Sequence, residues 1–239
     1  MPNWCHTNYT VTGLHSDLKR FYNVLTEATS GKWNDKIKTD FKDWWLGNVY
    51  AELGMFTPEQ LMNNEIPEEL SCRGEFDEEP VFDEKRFVDF GTSTAWGPCT
   101  GMWKKIFNDY FPRLNFVYVA EEPGTAVYIN SDKNRRFYPV EWVLCCSDYP
   151  DTADRKKVLN KFFRPDVEFD WEIYFETGEL EKWIKESFLP NLKDKPETID
   201  DFKKFIRDFN DKYERVFSFS LNKYITEEEY LNIPVGERV

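Results

Sequence analysis

The stretch RFVDFGTSTAWGPCTGMWKKIFNDYFPRLNFVYVAEEPGTAVYIN, residues 86–130, carries the pattern that decides the fold. Its alternating start predicts a strand over Phe87–Thr92, and apolar residues at helical spacing predict a helix over about Cys99–Tyr110. Two further strands are predicted over Asn115–Ala120 and Thr125–Asn130, with a tight turn at the Pro-Gly pair between them. The order in this stretch is therefore strand, helix, strand, strand.

A strand and a helix precede this stretch. The segment NYTVTG, residues 8–13, alternates at period two and predicts the first strand. Ser16 is the predicted N-cap of a helix over residues 17–28. Residues 30–85 show no clean alternation, and we interpret them as an insertion with one helix over Trp44–Leu53 that ends at the following glycine.

Together these elements predict an α+β fold, a ferredoxin-like split β-α-β sandwich with a helical insertion. We place this domain at residues 1–145, with Tyr138–Leu144 as a short strand that extends its sheet. Residues 150–239 predict a small α+β module with helices over Glu179–Phe188 and Ile199–Tyr213. The pattern leaves open whether this module packs on the first sheet or adds edge strands to it.

Composition excludes several classes of function. The net charge of −13 disfavours general DNA binding, because the phosphate backbone repels an acidic surface. Five cysteines without a CxxC pair indicate reduced, buried thiols, and two histidines are too few for most zinc sites or Ser-His-Asp schemes. Aromatic residues make up 18% of the chain, so we expect some rings to line a pocket or an interface.

The sequence predicts neither a membrane-spanning segment nor a signal peptide. It has no run of about 20 apolar residues and no basic segment followed by an apolar stretch at its start. We therefore expect no membrane association and a location in the cytoplasm of the cell that makes the protein.

The junction around Trp96 is the first candidate for chemistry. Gly-Pro after this tryptophan starts the second predicted helix, where exposed amides and the helix dipole favour an anion. No GxxxxGK[ST] or GxGxxG pattern is present, and capping with an aromatic plug over the core is the alternative interpretation. The hydroxyl and basic side chains available to such an anion site are Thr92, Ser93, Thr94, Arg73, Lys104 and Lys105.

The opening MPNWCH is the second candidate. Removal of Met1 would leave the secondary amine of Pro2 as a base or nucleophile. Cys5 and His6 look like a nucleophile pair, but neighbours on a strand point to opposite faces, so we expect Cys5 to be packed. Trp4 is expected either to seal the core or to form a pocket wall.

Several segments together resemble one family. They are MPNWCHTNYTVTG, WLGNVYAELG, CRGEF, TAWGPCTGMW, NFVYVAEEPGTAVYIN and RFYPVEWVL. In combination they resemble the YubB-like family of ferredoxin-like-domain proteins of phages, plasmids and bacterial mobile elements, over about residues 1–145. Gly97-Pro98-Cys99 departs from the Ser-Pro-Pro or Ser-Pro-Cys that is usual there. The resemblance implies a fold and a setting, and it names no reaction.

Three hypotheses of function follow. The leading one is a non-catalytic binding protein of phage or mobile-element origin that sequesters a nucleotide-like immune signal. The second is a protein-protein inhibitor with an acidic, aromatic surface directed at a host protein. The third is a metal-assisted nucleotide hydrolase that uses Glu121 or Glu122 with Asp89.

We favour a non-catalytic protein with no catalytic residue, cofactor or bound metal, and both enzyme activity and the oligomeric state stay open. The predicted ligand-binding residues are Trp4, His6, Arg73, Thr92, Ser93, Thr94, Trp96, Lys104, Lys105 and Glu122.

Overall fold

The computed structural model describes residues 3–71, 73–83, 86–148, 152–213 and 216–233. The chain forms two compact units. Unit 1 contains Met1–Tyr138 and Ile225–Val239, and unit 2 contains Pro139–Tyr224. The predicted boundary at 145–150 is thus wrong, because the strand that starts at Val140 already belongs to the second sheet and the chain returns to unit 1 at its end.

The helices and strands run in the following order. Unit 1 begins with β1 (Trp4–Gly13), α1 (His15–Ala28), α2 (Gly47–Glu52), α3 (Pro58–Met62), β2 (Gly74–Phe76), β3 (Val81–Asp83), β4 (Phe87–Ala95), α4 (Thr100–Tyr110), β5 (Leu114–Glu122) and β6 (Val127–Asn130). Unit 2 contains β7 (Val140–Asp148), α5 (Thr152–Leu159), β8 (Glu172–Glu176), α6 (Glu179–Ser187), α7 (Ile199–Tyr213) and β9 (Phe217–Lys223). The returning segment adds α8 (Glu227–Asn232) to unit 1, and short 3-10 turns cover Lys42–Trp44, Glu68–Leu70 and Pro123–Thr125.

The sheet of unit 1 has β1 at its centre. Its strands lie in the order β2-β4-β1-β5-β6, and β3 also pairs with β4. Both β4 and β5 are antiparallel to β1, so they are parallel to each other, and α4 connects them around it. This connection is a split β-α-β unit. The predicted α+β class is confirmed.

Alternation along β1 separates a core face from an outer face. Cys5, Thr7, Tyr9 and Val11 are buried in the helix-covered core, while His6 and the other intervening residues lie on the opposite side. The core is aromatic: the Tyr9 ring stacks on Phe90 at 4.8 Å between centroids. Burial raises the pKa of the Tyr9 hydroxyl well above its usual value. Much of the aromatic content therefore fills this core.

Unit 2 builds its own sheet and core. Its strands lie in the order β8-β7-β9, so the segment predicted at Tyr138–Leu144 does not extend the first sheet. The Asn210 side chain ties α7 to β9, since its Nδ2 donates to the Phe219 carbonyl at 2.8 Å and its Oδ1 accepts from the Phe219 amide at 3.0 Å.

Three local predictions need correction. Leu14, extended at φ −70° and ψ 133°, occupies the N-cap position of α1, so Ser16 lies inside the helix and does not cap it. The helix predicted over Trp44–Leu53 shortens to α2, because Trp45 is extended and pairs with Glu75. The insertion is not only helical, since β2 and β3 pair with β4.

The cysteine prediction holds in part. Cys5, Cys145 and Cys146 have reduced thiols, of which Cys145 is only partly buried, but Cys99 is disulfide-bonded, so the expectation of reduced thiols is wrong for that residue. Cys72 lies outside the described residues. Among the helices of the described ranges, none has the length and apolar character needed to cross a membrane.

Candidate functional site

Three of the sequence motifs meet at one end of the sheet in unit 1. Trp4 pairs with Ala95, and the Trp96 amide donates to the Asn3 carbonyl at 2.9 Å. The Asn3 side chain lies against the EEPG turn, where a Cβ on Gly124 would be 2.7 Å from Asn3 Nδ2. We call this surface, formed by Asn3, Trp4, Arg73, Trp96 and Gly124, the motif end.

Trp96 is the most unusual residue of the motif end. Its backbone is left-handed at φ 70°, a conformation that costs a residue with a Cβ about 1–2 kcal/mol. The side chain is nevertheless 59% exposed, so the indole gains little burial in return. Backbone hydrogen bonds hold this part of the chain in place. The Trp96 amide donates to Asn3, and the Ala95 amide donates to the Arg73 carbonyl at 2.9 Å. A strained residue that exposes an indole is a candidate for a binding residue.

Of the two roles expected of Trp4, a seal over the core or a pocket wall, the structure supports the packing role. Its ring packs edge-on against Phe41 of the insertion, with centroids 6.1 Å apart, and the residue is half-buried. Trp4 thus anchors the start of β1, while Trp96 stands in solvent. The alternative interpretation, in which Trp96 plugs the core, is wrong because this side chain is exposed.

A backbone acceptor lies near the start of α4, where the anion site was predicted. A Cβ on Gly101 would lie 2.7 Å from the Glu69 carbonyl oxygen, and although Gly101 is exposed, this oxygen disfavours an anion on that side of the helix start. Thr92 and Thr94 are fully buried on the core face of β4. The Thr94 hydroxyl donates to the Gly97 carbonyl at 2.7 Å. These hydroxyls are part of the packing and are not available to a ligand.

The predicted basic residues separate into two groups. Lys104 forms an ion pair with Glu227 at 2.6 Å, and Lys105 pairs with Asp109 at 2.7 Å within α4. Arg73 is exposed, and its backbone contact with Ala95 places it beside Trp96. Of the predicted cations, Arg73 alone belongs to the motif end.

His6 and Ser93 lie together on the outer face. The Ser93 hydroxyl contacts His6 Nδ1 at 2.8 Å, and Asp77 Oδ2 approaches the same nitrogen at 3.4 Å. A catalytic triad needs the acid and the nucleophile on different ring nitrogens, so this arrangement is not one. Cys5 faces the opposite side, and burial raises the pKa of its thiol to about 12. The predicted separation of Cys5 from His6 is thus confirmed.

Glu122 has a structural role. It is 2% exposed, and its carboxylate accepts the amides of Gly124 at 2.9 Å and Thr125 at 2.6 Å. Those bonds occupy the oxygens that the hydrolase hypothesis requires.

The other two acids of that hypothesis do not meet. On the outer face, Glu121 lies opposite His6 and Asp89 lies opposite Thr10, four residues apart along β1. Four residues of strand span roughly 13 Å, too far for one ion. Within the described ranges, no three His, Cys, Asp or Glu side chains lie close enough together to hold a metal.

The sequence analysis missed a second feature of the outer face. Residues 136–138 cover part of it, and the Tyr138 hydroxyl lies 3.0 Å from the Thr10 hydroxyl. The polar alternation of β1 was a signal that this face carries polar groups. The covering segment comes from far along the chain, so no local pattern could place it there.

No family model, curated protein or solved structure matches the chain. The resemblance to the YubB-like family therefore stays a prediction.

Proposed function

We propose that unit 1 is a non-catalytic binding module and that its ligand is a basic protein. The observation that carries this proposal is the Trp96 indole, exposed on a strained and hydrogen-bonded backbone. Tryptophan and arginine are the side chains most enriched among those that dominate binding energy at protein interfaces, and the exposed Arg73 is bonded through its backbone to Ala95, the residue before Trp96. The proposal corresponds to the inhibitor hypothesis of the sequence analysis.

Charge favours a basic partner. The outer face carries Glu75, Asp77, Glu78, Asp89 and Glu121, and the whole chain has a net charge of −13. Burial, and then repulsion by Asp77, raise the pKa of the Glu75 carboxyl. A cationic surface would relieve this repulsion and be attracted over the screening length of about 8 Å at physiological salt.

A nucleotide-like ligand is the second candidate, because Trp96 could stack on a base and Arg73 could contact a phosphate. It has less support than a protein. All three predicted hydroxyl residues are buried, both predicted lysines are in ion pairs, and the Glu69 carbonyl lies close to the start of α4. We also propose that the protein originates from a phage or mobile element. The proposal further assigns the split β-α-β unit to a ferredoxin-like sandwich.

Capture from bacterial lysate tests the proposal with matched variants. The bait is the full chain, and the Trp96→Ala variant is compared with Trp171→Ala, whose tryptophan in unit 2 is 68% exposed. We expect a basic protein to be retained by the wild type and by Trp171→Ala, to be lost by Trp96→Ala, and to elute with salt.

An identical set of proteins on both variants would show that Trp96 is no anchor. Titration calorimetry with a nucleotide panel separates the second candidate: saturable binding that both Trp96→Ala and Arg73→Ala abolish would replace the protein ligand by a nucleotide.

A further inference from the structure

A cavity of about 470 Å³ lies on the outer face of unit 1, away from the motif end. Its walls include the rings of Phe87 and Phe137, which meet edge to face at 6.2 Å, and the ring of Tyr138. The buried Asp132 carboxylate holds the segment that brings these rings in, because its Oδ2 accepts the amides of Phe137 at 2.6 Å and Tyr138 at 3.2 Å. The cavity is therefore a built feature of the fold.

Its polar lining consists mainly of acceptors. Asp89 Oδ1 is buried and has no hydrogen-bond partner among the described residues. Asn8 Oδ1 and Glu78 Oε1 both lie against Gly91, at 3.2 and 3.5 Å from the position of a Cβ there. A ligand that satisfies this lining must bring several N–H donors.

Among the described residues, neither Asp89 nor Glu78 forms an ion pair. Burial raises the pKa of the Asp89 carboxyl, and the nearby Glu78 and Asp83 raise it further, while the Thr10 hydroxyl lowers it. Arg136 lines the cavity, but its guanidinium lies over the Phe137 ring at 5.2 Å and forms no ion pair with the described residues. That contact shows that a ring of this cavity accepts a guanidinium.

We propose that the cavity binds a guanidinium group, presented by an arginine side chain of the partner, between the aromatic walls and the Asp89 carboxylate. A guanidinium offers five planar donors and stacks on aromatic rings, which an ammonium group does less well. The inference deepens the proposed function and rests on it for the source of the arginine. Asp89 lies on β4 and Trp96 directly follows the end of that strand, seven residues further on, so the two are roughly 23 Å apart at most, a span that one interface of standard size covers.

The test uses a small probe, so it does not need the partner. N-acetyl-arginine methylamide is titrated into the full chain and followed by amide NMR shifts, with the citrulline and lysine analogues as neutral and ammonium controls. We expect saturable binding of the arginine probe on the order of 1 mM, the affinity of a single side chain.

Matched variants locate the binding. Asp89→Asn keeps the shape and is expected to weaken the probe by about tenfold or more, since it removes a charge-assisted pair. Arg136→Gln is expected to strengthen it, because it removes a competing cation. Glu59→Gln, an equal charge change on the exposed surface of α3, and Trp96→Ala are expected to leave it unchanged.

Three results would overturn the inference: no saturation, equal weakening by Asp89→Asn and Glu59→Gln, or equal affinity for the lysine analogue. Loss of partner capture in Trp96→Ala with intact probe binding separates this inference from the proposed function. Intact capture of the partner without binding of the arginine probe would refute the guanidinium site and leave the proposed function standing.

Discussion

Replacement of Trp96 separates backbone strain from binding. Glycine adopts φ 70° without the Cβ clash that costs other residues about 1–2 kcal/mol, while its extra freedom in the unfolded chain costs about 0.5–1 kcal/mol. Alanine keeps the clash and loses the same indole. Trp96→Gly is therefore expected to be more stable than Trp96→Ala by about 0.5–1 kcal/mol, although both variants lose the exposed ring.

The assay must report on unit 1 alone, because unit 2 has its own core. Cys5 is fully buried in unit 1, whereas Cys145 and Cys146 belong to unit 2. Alkylation of Cys5 in increasing urea, read by mass spectrometry of its peptide, therefore measures the unfolding of unit 1. The glycine variant is expected to show an unfolding constant about two- to fivefold smaller than the alanine variant.

Equal or lower stability of the glycine variant would refute the argument that Trp96 is strained. A glycine variant that is more stable and still captures the partner would leave the strain intact and remove its link to binding. The expected pattern is higher stability together with lost capture, a cost in stability that a binding residue imposes on the fold.

Three further predictions concern the two cores and the cavity. The thiol of Cys5 has an ordinary pKa near 9.0, and burial raises this pKa to about 12. The thiol therefore ionises first in the unfolded chain, and unit 1 loses stability as the pH rises from 9 toward 12. Urea titrations at pH 8 and pH 10 should show this loss, and the loss should be smaller in Cys5→Ala. Replacement of Asp132 by alanine leaves the amides of residues 137–138 without their acceptor, which should destabilise unit 1 by about 2–3 kcal/mol in urea and abolish binding of the arginine probe. Asn210→Ala removes both hydrogen bonds to Phe219, and hydrogen exchange of β9 amides should accelerate by about tenfold or more, while an unchanged rate would contradict a stabilising role.

Local patterns predicted the elements of unit 1 well. Strict alternation in β1 and helical spacing in α4 depend only on which side of an element meets the core, so the letters alone carry that information. Termini were less accurate, as at Ser16, because a cap depends on the backbone angle of one residue and Leu14 took that position.

The candidate site was predicted in part. The backbones of Trp96, Trp4 and Arg73 lie together at the motif end, while the Trp4 ring packs against Phe41, and their role in binding stays a prediction. Thr92 and Thr94 were wrongly predicted to contact a ligand. They alternate with Ser93 along β4, and the periodicity of a strand does not tell which of the two faces of the sheet the helices cover.

The sequence by itself determined the α+β class, the order β1-α1-β4-α4-β5-β6 outside the insertion and the acidic character of the chain, since these depend on residues close together in the chain or on composition. Only the tertiary structure decided that the chain leaves unit 1 at Tyr138 and returns at Ile225, and that Phe137 and Tyr138 meet Asp89 across the outer face. Such contacts join residues about 50 positions apart. Local propensity does not encode them, because they form only where two separate segments bury a common surface.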